Sequence, residues 1–423
     1  MLTVLRNSWA LLLGMMLLML GNGMQGSLLG IRGEMEKMGT FQLSIVMSCY
    51  FLGFLFGSRM VPDMLRRVGH VRVFAALGSM ISAVLVMYAV APNWIAWSLM
   101  RVVIGFSFSG VYITAESWLN DASSNETRGQ ALSIYLIVQM VGIIAAQGLL
   151  NLGDPGGYIL FIIPSVLVSI AFTPILLSVS QAPAFASTKP LSFRFLYNAS
   201  PLGCIGMFIL GGIFSAQFGM AAVWGSQAGL SVRDISIFIA GIYVGGVLFQ
   251  FPIGWLSDRI DRRKMVLATS AVGAVALLIP VAWDIPFWAL CGIGAIGGGV
   301  SNPLYSLLLA YVNDYIDKSA MAGASAGLLF INGLGAISGP VITGWIMGLV
   351  GPRGFFLFMA LLFAALAIYA MYRMTRRRRT ADATSSFTAV SPSGTAIALE
   401  AVMMAADGEG PEADSSNSAV ARP

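Results

Sequence analysis

Few side chains in this sequence could do chemistry. Arg101 stands inside an apolar run, followed by Gly105, Phe108, Gly110 and Tyr112, with Glu116 near the end of the run. At 100° per residue, Arg101, Phe108 and Tyr112 share one helix face. A charge at membrane depth costs at least about 2.5–3.5 kcal/mol on insertion scales, so it normally faces a wet cavity or a partner. Glu116 cannot be that partner, because residues 101 to 116 span about 22 Å along a helix axis. Arg101 therefore calls for a solute anion, a carbonyl or a polar neighbour on another helix. Glu116 sits where a side chain could instead snorkel or cap. Uncharged polar residues within apolar runs are Asn22, Gln25, Gln139, Gln147, Gln217, Asn302 and Asn332. Such groups bond to neighbouring helices or line a polar path.

A second polar group follows an apolar run: Gly254, then Asp258, Arg259, Asp261, Arg262, Arg263 and Lys264. What is missing narrows the field further. His70 is the single histidine, no nucleophile–base pair or metal cluster is evident, and nothing matches a phosphate-binding loop. We expect no enzyme activity and no cofactor or metal. Cys49, Cys204 and Cys291 all fall in apolar segments, which implies no disulfide framework. The net charge of +5 is scattered over short loops, so nucleic acid is not expected as a partner.

The elements that must position these residues are membrane helices. The 423 residues are 57% hydrophobic and 10% charged, with a mean hydropathy of +0.82, against about 25% charged in soluble domains. A span needs about 20 mostly apolar residues. On that rule there are twelve: roughly 9–30, 40–60, 73–91, 94–118, 130–151, 158–180, 202–226, 234–256, 265–283, 286–311, 321–347 and 354–372. Basic residues gather on one side, including Arg6, Arg59, Arg66, Arg67, Arg72, Arg128, Lys189, Arg259 and Arg373. The other side has only Arg32, Lys37, Arg233 and Arg353. The rule that positive loops stay inside puts both termini in the cytoplasm. The domains expected are a six-helix bundle over 1–180, a cytoplasmic linker over 181–201, a second bundle over 202–375 and a disordered tail over 376–423.

The two bundles repeat. Tyr50 recurs at Tyr243, an offset of 193 (243 − 50), and Tyr112, Asn120, Asp121 and Gly142 recur at Tyr305, Asn313, Asp314 and Gly335. Two copies with the same orientation are a parallel repeat about an axis along the membrane normal.

Twelve spans in two parallel halves, with this loop, resemble the major facilitator superfamily of secondary transporters, bacterial in type. Gly254, Asp258, Arg259, Arg262 and Arg263 fit its signature loop; the first half keeps only Arg66, Gly69 and His70. Arg101 and Gly105 resemble its fourth-helix motif. The resemblance implies an all-α membrane protein whose first, fourth, seventh and tenth spans line a central cavity. That makes Asn22, Gln25, Arg101, Tyr112, Gln217, Asn302 and Tyr305 lining candidates, with Arg101 and Glu116 candidates for coupling. It also implies that Gly254 lets helices approach and that Asp258 accepts hydrogen bonds at a neighbouring helix N-terminus, favouring one packing of the halves. The expected protein is a monomer in the bacterial inner membrane. It would move a small organic solute by alternating access with protons as the coupling ion. The alternatives are a proton-coupled exporter of drugs or hydrophobic compounds, and a transporter-like receptor. Drug exporters typically carry Gly-Pro in the fifth span; here it is Gly339-Pro340 in the eleventh.

Overall fold

The structure, a computed structural model, describes residues 2–121, 123, 127–177, 192–316 and 320–376. These form thirteen α-helices: α1 (Leu2–Met35), α2 (Thr40–Val68), α3 (His70–Val90), α4 (Trp94–Asp121), α5 (Arg128–Leu149), α6 (Ile159–Leu177), α7 (Phe193–Ala199), α8 (Pro201–Gln227), α9 (Val232–Ser257), α10 (Arg262–Ala282), α11 (Phe287–Asn313), α12 (Met321–Val350) and α13 (Gly354–Arg376). Eleven are long and apolar enough to cross a membrane, while α6 carries a shorter apolar stretch, Ile159–Pro174. An apolar solvent cannot satisfy backbone N–H and C=O groups, so each crossing segment must close its own hydrogen bonds. Several helices run past the expected span ends, because solvent-side turns extend the ladder. Lys189, Asn125 and the tail from Arg377 onward lie outside the described residues.

Local sequence sets the ends. Gly69 (φ 84°) separates α2 from α3, and Gly351 (φ 77°) ends α12, both in the left-handed region that a side chain disfavours. Ser200, Ser231 and Asp261 cap α8, α9 and α10 by accepting from Gly203, Asp234 and Arg263 backbone N–H groups. Within the stretch expected to be a plain linker, Ser192 caps the short helix α7.

Each half is built on the same close contact. A Cβ on Gly53 would collide with the Val102 carbonyl oxygen, and one on Gly105 with that of Tyr50. In the second half Gly245 faces Ala295, and Gly298 faces Ile242, in the same way. The pairs α2–α4 and α9–α11 are therefore one interface used twice. Their equivalences carry a slip: Val102 and Gly105 map onto Ala295 and Gly298 at 193, whereas Gly53 and Tyr50 map onto Gly245 and Ile242 at 192. Tyr50 and Tyr243 match in sequence but are one position out of step in packing.

The halves meet through α1 on α8, α2 on α12 and α5 on α9. Gly30 abuts Ala222 and Val223, Gln227 donates to Thr40, Ser48 donates to the Ile337 carbonyl, and Asn151 donates to Ser236 at 3.3 Å. These contacts run inward from the end where α1 finishes and α2 starts. Beyond them, the Arg59 guanidinium lies 4.3 Å from the Phe330 ring centre.

Candidate functional site

A cavity lies between the halves, with about 1220 Å³ of atom-free space counting its open mouth. Its lining reaches from Gln25 and Arg101, near the end joined by those contacts, to Ser58 and Leu329. Helix α1 supplies Asn22 and Gln25, three residues apart and so on one face. Helix α4 supplies Arg101 and Tyr112, three turns apart on its inner face.

These side chains form one chain of hydrogen bonds. Arg101 Nη1 donates to Gln25 Oε1 at 3.0 Å, and Gln25 Nε2 donates to Asn22 Oδ1 at 3.1 Å. Asn22 Nδ2 donates to the Tyr112 hydroxyl at 3.0 Å and, more weakly, to that of Tyr50 at 3.4 Å. Tyr112 in turn donates to the Met19 thioether. Because a guanidinium can only donate, it orients both amides down the chain. Arg101 is 3% exposed, and its guanidinium stands 4.9 Å from the Tyr50 ring centre. A second polar group ties α5 to α1, with Ser27 donating to Gln147 Oε1 at 3.0 Å and Gln147 donating to the Gly23 carbonyl.

The opposite wall is aromatic. Phe214 and Phe218 have ring centres 4.0 Å apart, and Tyr243 lies 4.6 Å from Phe218. Asn332 also lines the cavity, but its amide donates to the Met207 carbonyl within its own half.

Of the seven lining candidates, the structure brings Asn22, Gln25, Arg101 and Tyr112 together at the cavity. It does not bring Gln217, Asn302 or Tyr305 there. Gln217 accepts from Ser301 at 2.9 Å, deep between α8 and α11. Asn302 is packed against Gly246, and neither its side-chain atoms nor the Tyr305 hydroxyl find a hydrogen-bond partner among the described residues. Tyr50, Phe54, Phe218 and Tyr243 were not singled out as lining residues. The doubled Tyr50/Tyr243 motif was the signal that could have found two of them.

Glu116 neither snorkels nor meets Arg101. It is buried, and Tyr135 donates to it at 3.3 Å. The signature loop lies away from the cavity. Arg262 Nη1 bridges both oxygens of Asp314 at 2.6 Å and donates to the Ala310 carbonyl, so a cation closes the C-terminal end of α11. Arg263 pairs with Asp261 at 2.8 Å, Arg259 covers Trp255, and Gly254 is buried in α9. Asp258 is exposed at the end of α9, and the residue that caps the next helix is Asp261. The matching corner of the first half holds His70, hydrogen-bonded to Ser117 at 3.0 Å.

The site sets hydrogen-bonding side chains on one wall against aromatic rings on the other. Among the described residues no cluster of His, Cys, Asp and Glu could bind a metal ion. A membrane helix bundle whose two similar halves wall one central cavity has the architecture of a solute carrier. The profile of the Major Facilitator Superfamily matches residues 11–202 and 202–406, and the chain belongs to that family of transporters. It is 26% identical over 322 residues to the uncharacterized MFS-type transporter YfkF of Bacillus subtilis, covering 74% of this chain and 81% of the relative. With the uncharacterized MFS-type transporter YcaD of Escherichia coli O45:K1 it shares 26% over 366 residues, 82% of this chain and 90% of the relative. In fold it is similar to a mutant of the nucleoside transporter NupG, with a TM-score of 0.76 at 16% identity, covering 87% of this chain and all of that one. It is similar also to a bacterial homolog of the human lysosomal transporter Spinster, in an inward-facing and unoccupied conformation, with a TM-score of 0.65 at 14% identity over 94% and 97% of the two chains.

Proposed function

We propose that this transporter carries a small organic solute by alternating access, its halves rocking about the central cavity, with protons as the coupling ion. One observation carries the reading: the cavity is walled by both halves and bounded at one end by contacts between them. Opening α1–α8, α2–α12 and α5–α9 there would expose the same residues to the other side. On the count of basic residues, that end is the outer one, the termini are cytoplasmic, and the cavity faces inward. The reading places the protein as a monomer in a bacterial inner membrane. Arg101 is the group through which solute binding and proton movement would meet. The aromatic wall of Phe214, Phe218 and Tyr243 also suits a second reading, export of a hydrophobic compound.

The experiment is a reversible lock. Gln227 donates to Thr40 across the halves, so cysteines at these two positions can be oxidised to a cross-link. In proteoliposomes, oxidation should stop transport and reduction should restore it. Undiminished transport by fully cross-linked protein would remove alternating access about this cavity.

A further inference from the structure

The cavity's own asymmetry points to a class of solute. Arg101 gives Nη1 to Gln25 and Nη2 to the Met47 thioether, which is a weak acceptor, and its buried Nε has no partner. Among the described residues no carboxylate forms an ion pair with it. Among the described residues, no acidic side chain and no second Lys or Arg lines the cavity. A solute that completes this site therefore brings one negative charge. A dianion would leave charge unbalanced where the dielectric is low, and a cation would meet an unopposed guanidinium. The fork of a guanidinium matches the two oxygens of a carboxylate.

The rest of the wall speaks to the solute's body. Tyr50 and Phe54 line one side, and the continuous Phe214, Phe218 and Tyr243 surface lines the other. Rings set this way favour a flat, apolar group. We infer that the cavity takes an amphipathic organic monocarboxylate, the carboxylate on Arg101 and an aromatic body against Phe54, Phe214, Phe218 and Tyr243. That the ligand is also carried across rests on the function proposed above; that it binds does not.

The test uses the full chain purified in detergent, with thermal unfolding followed as probe is added. The probes are 3-phenylpropanoate, its neutral counterpart 3-phenylpropan-1-ol, the dianion phenylsuccinate, octanoate and the neutral nucleoside uridine. The acid 3-phenylpropanoate should bind saturably, and the alcohol at least about tenfold more weakly, the loss expected when a charge-assisted bond is removed. Phenylsuccinate and uridine should also bind more weakly. Arg101→Ala should erase the preference of acid over alcohol. Phe218→Ala should weaken 3-phenylpropanoate more than octanoate. Equal binding of acid and alcohol by the unaltered protein, or no saturable response to any acid, overturns the inference. Those readings stand even where Arg101→Ala does not fold. Uptake into proteoliposomes, above the leak of protein-free vesicles, separates the two claims. Saturable binding without uptake keeps the site and removes the carrier, whereas uptake without acid preference keeps the carrier and removes the site.

Discussion

In the N-terminal half the first and fourth long helices meet through Gln25 and Arg101. In the C-terminal half the packing equivalents are Gln217, at an offset of 192, and Gly294, at 193. With no cation opposite, Gln217 turns to Ser301 and stays buried between α8 and α11. The same interface thus presents a donor chain to the cavity in one half and an apolar, aromatic face in the other. The corners by the signature loop differ in the reverse sense. The second half holds the Arg262–Asp314 ion pair, and the first holds the His70–Ser117 hydrogen bond. Shared backbone contacts preserve the scaffold, while the side chains at the matched positions differ.

Four experiments can break or sharpen this contrast. The largest effect is expected where the halves agree. A side chain at Gly105 or Gly298 meets backbone that cannot give way, so Gly105→Val and Gly298→Val should each collapse the yield of folded protein, read by fluorescence size-exclusion. A large loss from only one of them would show that the two interfaces are not equivalent.

The next experiment compares the corners. Asp314→Ala removes the carboxylate partner of the buried Arg262 and should cost about 3–5 kcal/mol, whereas Ser117→Ala removes a single hydrogen bond worth about 1 kcal/mol. Thermal unfolding in detergent ranks them, and equal losses would remove the asymmetry.

Third, Gln25→Leu removes the acceptor that holds Arg101 and breaks the chain to Asn22. Gln217→Leu removes only a bond to Ser301. We expect transport in proteoliposomes to fall far more in Gln25→Leu than in Gln217→Leu at equal folded yield. The opposite order would place recognition in the second half.

The smallest effect concerns the repeated tyrosines. Tyr112 accepts from Asn22, so Tyr112→Phe should cost about 1 kcal/mol. Among the described residues the Tyr305 hydroxyl has no partner, and Tyr305→Phe should be neutral or slightly stabilising. Matched unfolding curves decide it, and a large loss from Tyr305→Phe would reveal a bond that the present geometry does not contain.

Much of the fold was legible from residue order alone. Lipid forces every crossing segment to satisfy its own backbone, so length and apolarity mark the spans without reference to their neighbours. The repeat was legible for the same reason that the glycine contacts recur: two backbones that touch leave no room for a side chain at Gly105 or Gly298. The isolation of Arg101 from Glu116 also followed from helix rise alone.

What residue order could not decide was which polar side chains would meet. Asn22, Gln25, Gln217, Asn302 and Tyr305 look alike in a list of polar residues on central spans. The partners that neighbouring helices offer then draw some toward the cavity and leave the others walled in. The one-residue slip between α2 and α9 puts Tyr50 and Tyr243 out of step although their sequences match at 193. Rotation and register are set by how neighbouring helices interlock, a property of pairs of surfaces rather than of any one segment. Spans and repeat therefore belong to the sequence, while the donor chain from Arg101 to Tyr112 exists only once α1, α2 and α4 are packed together.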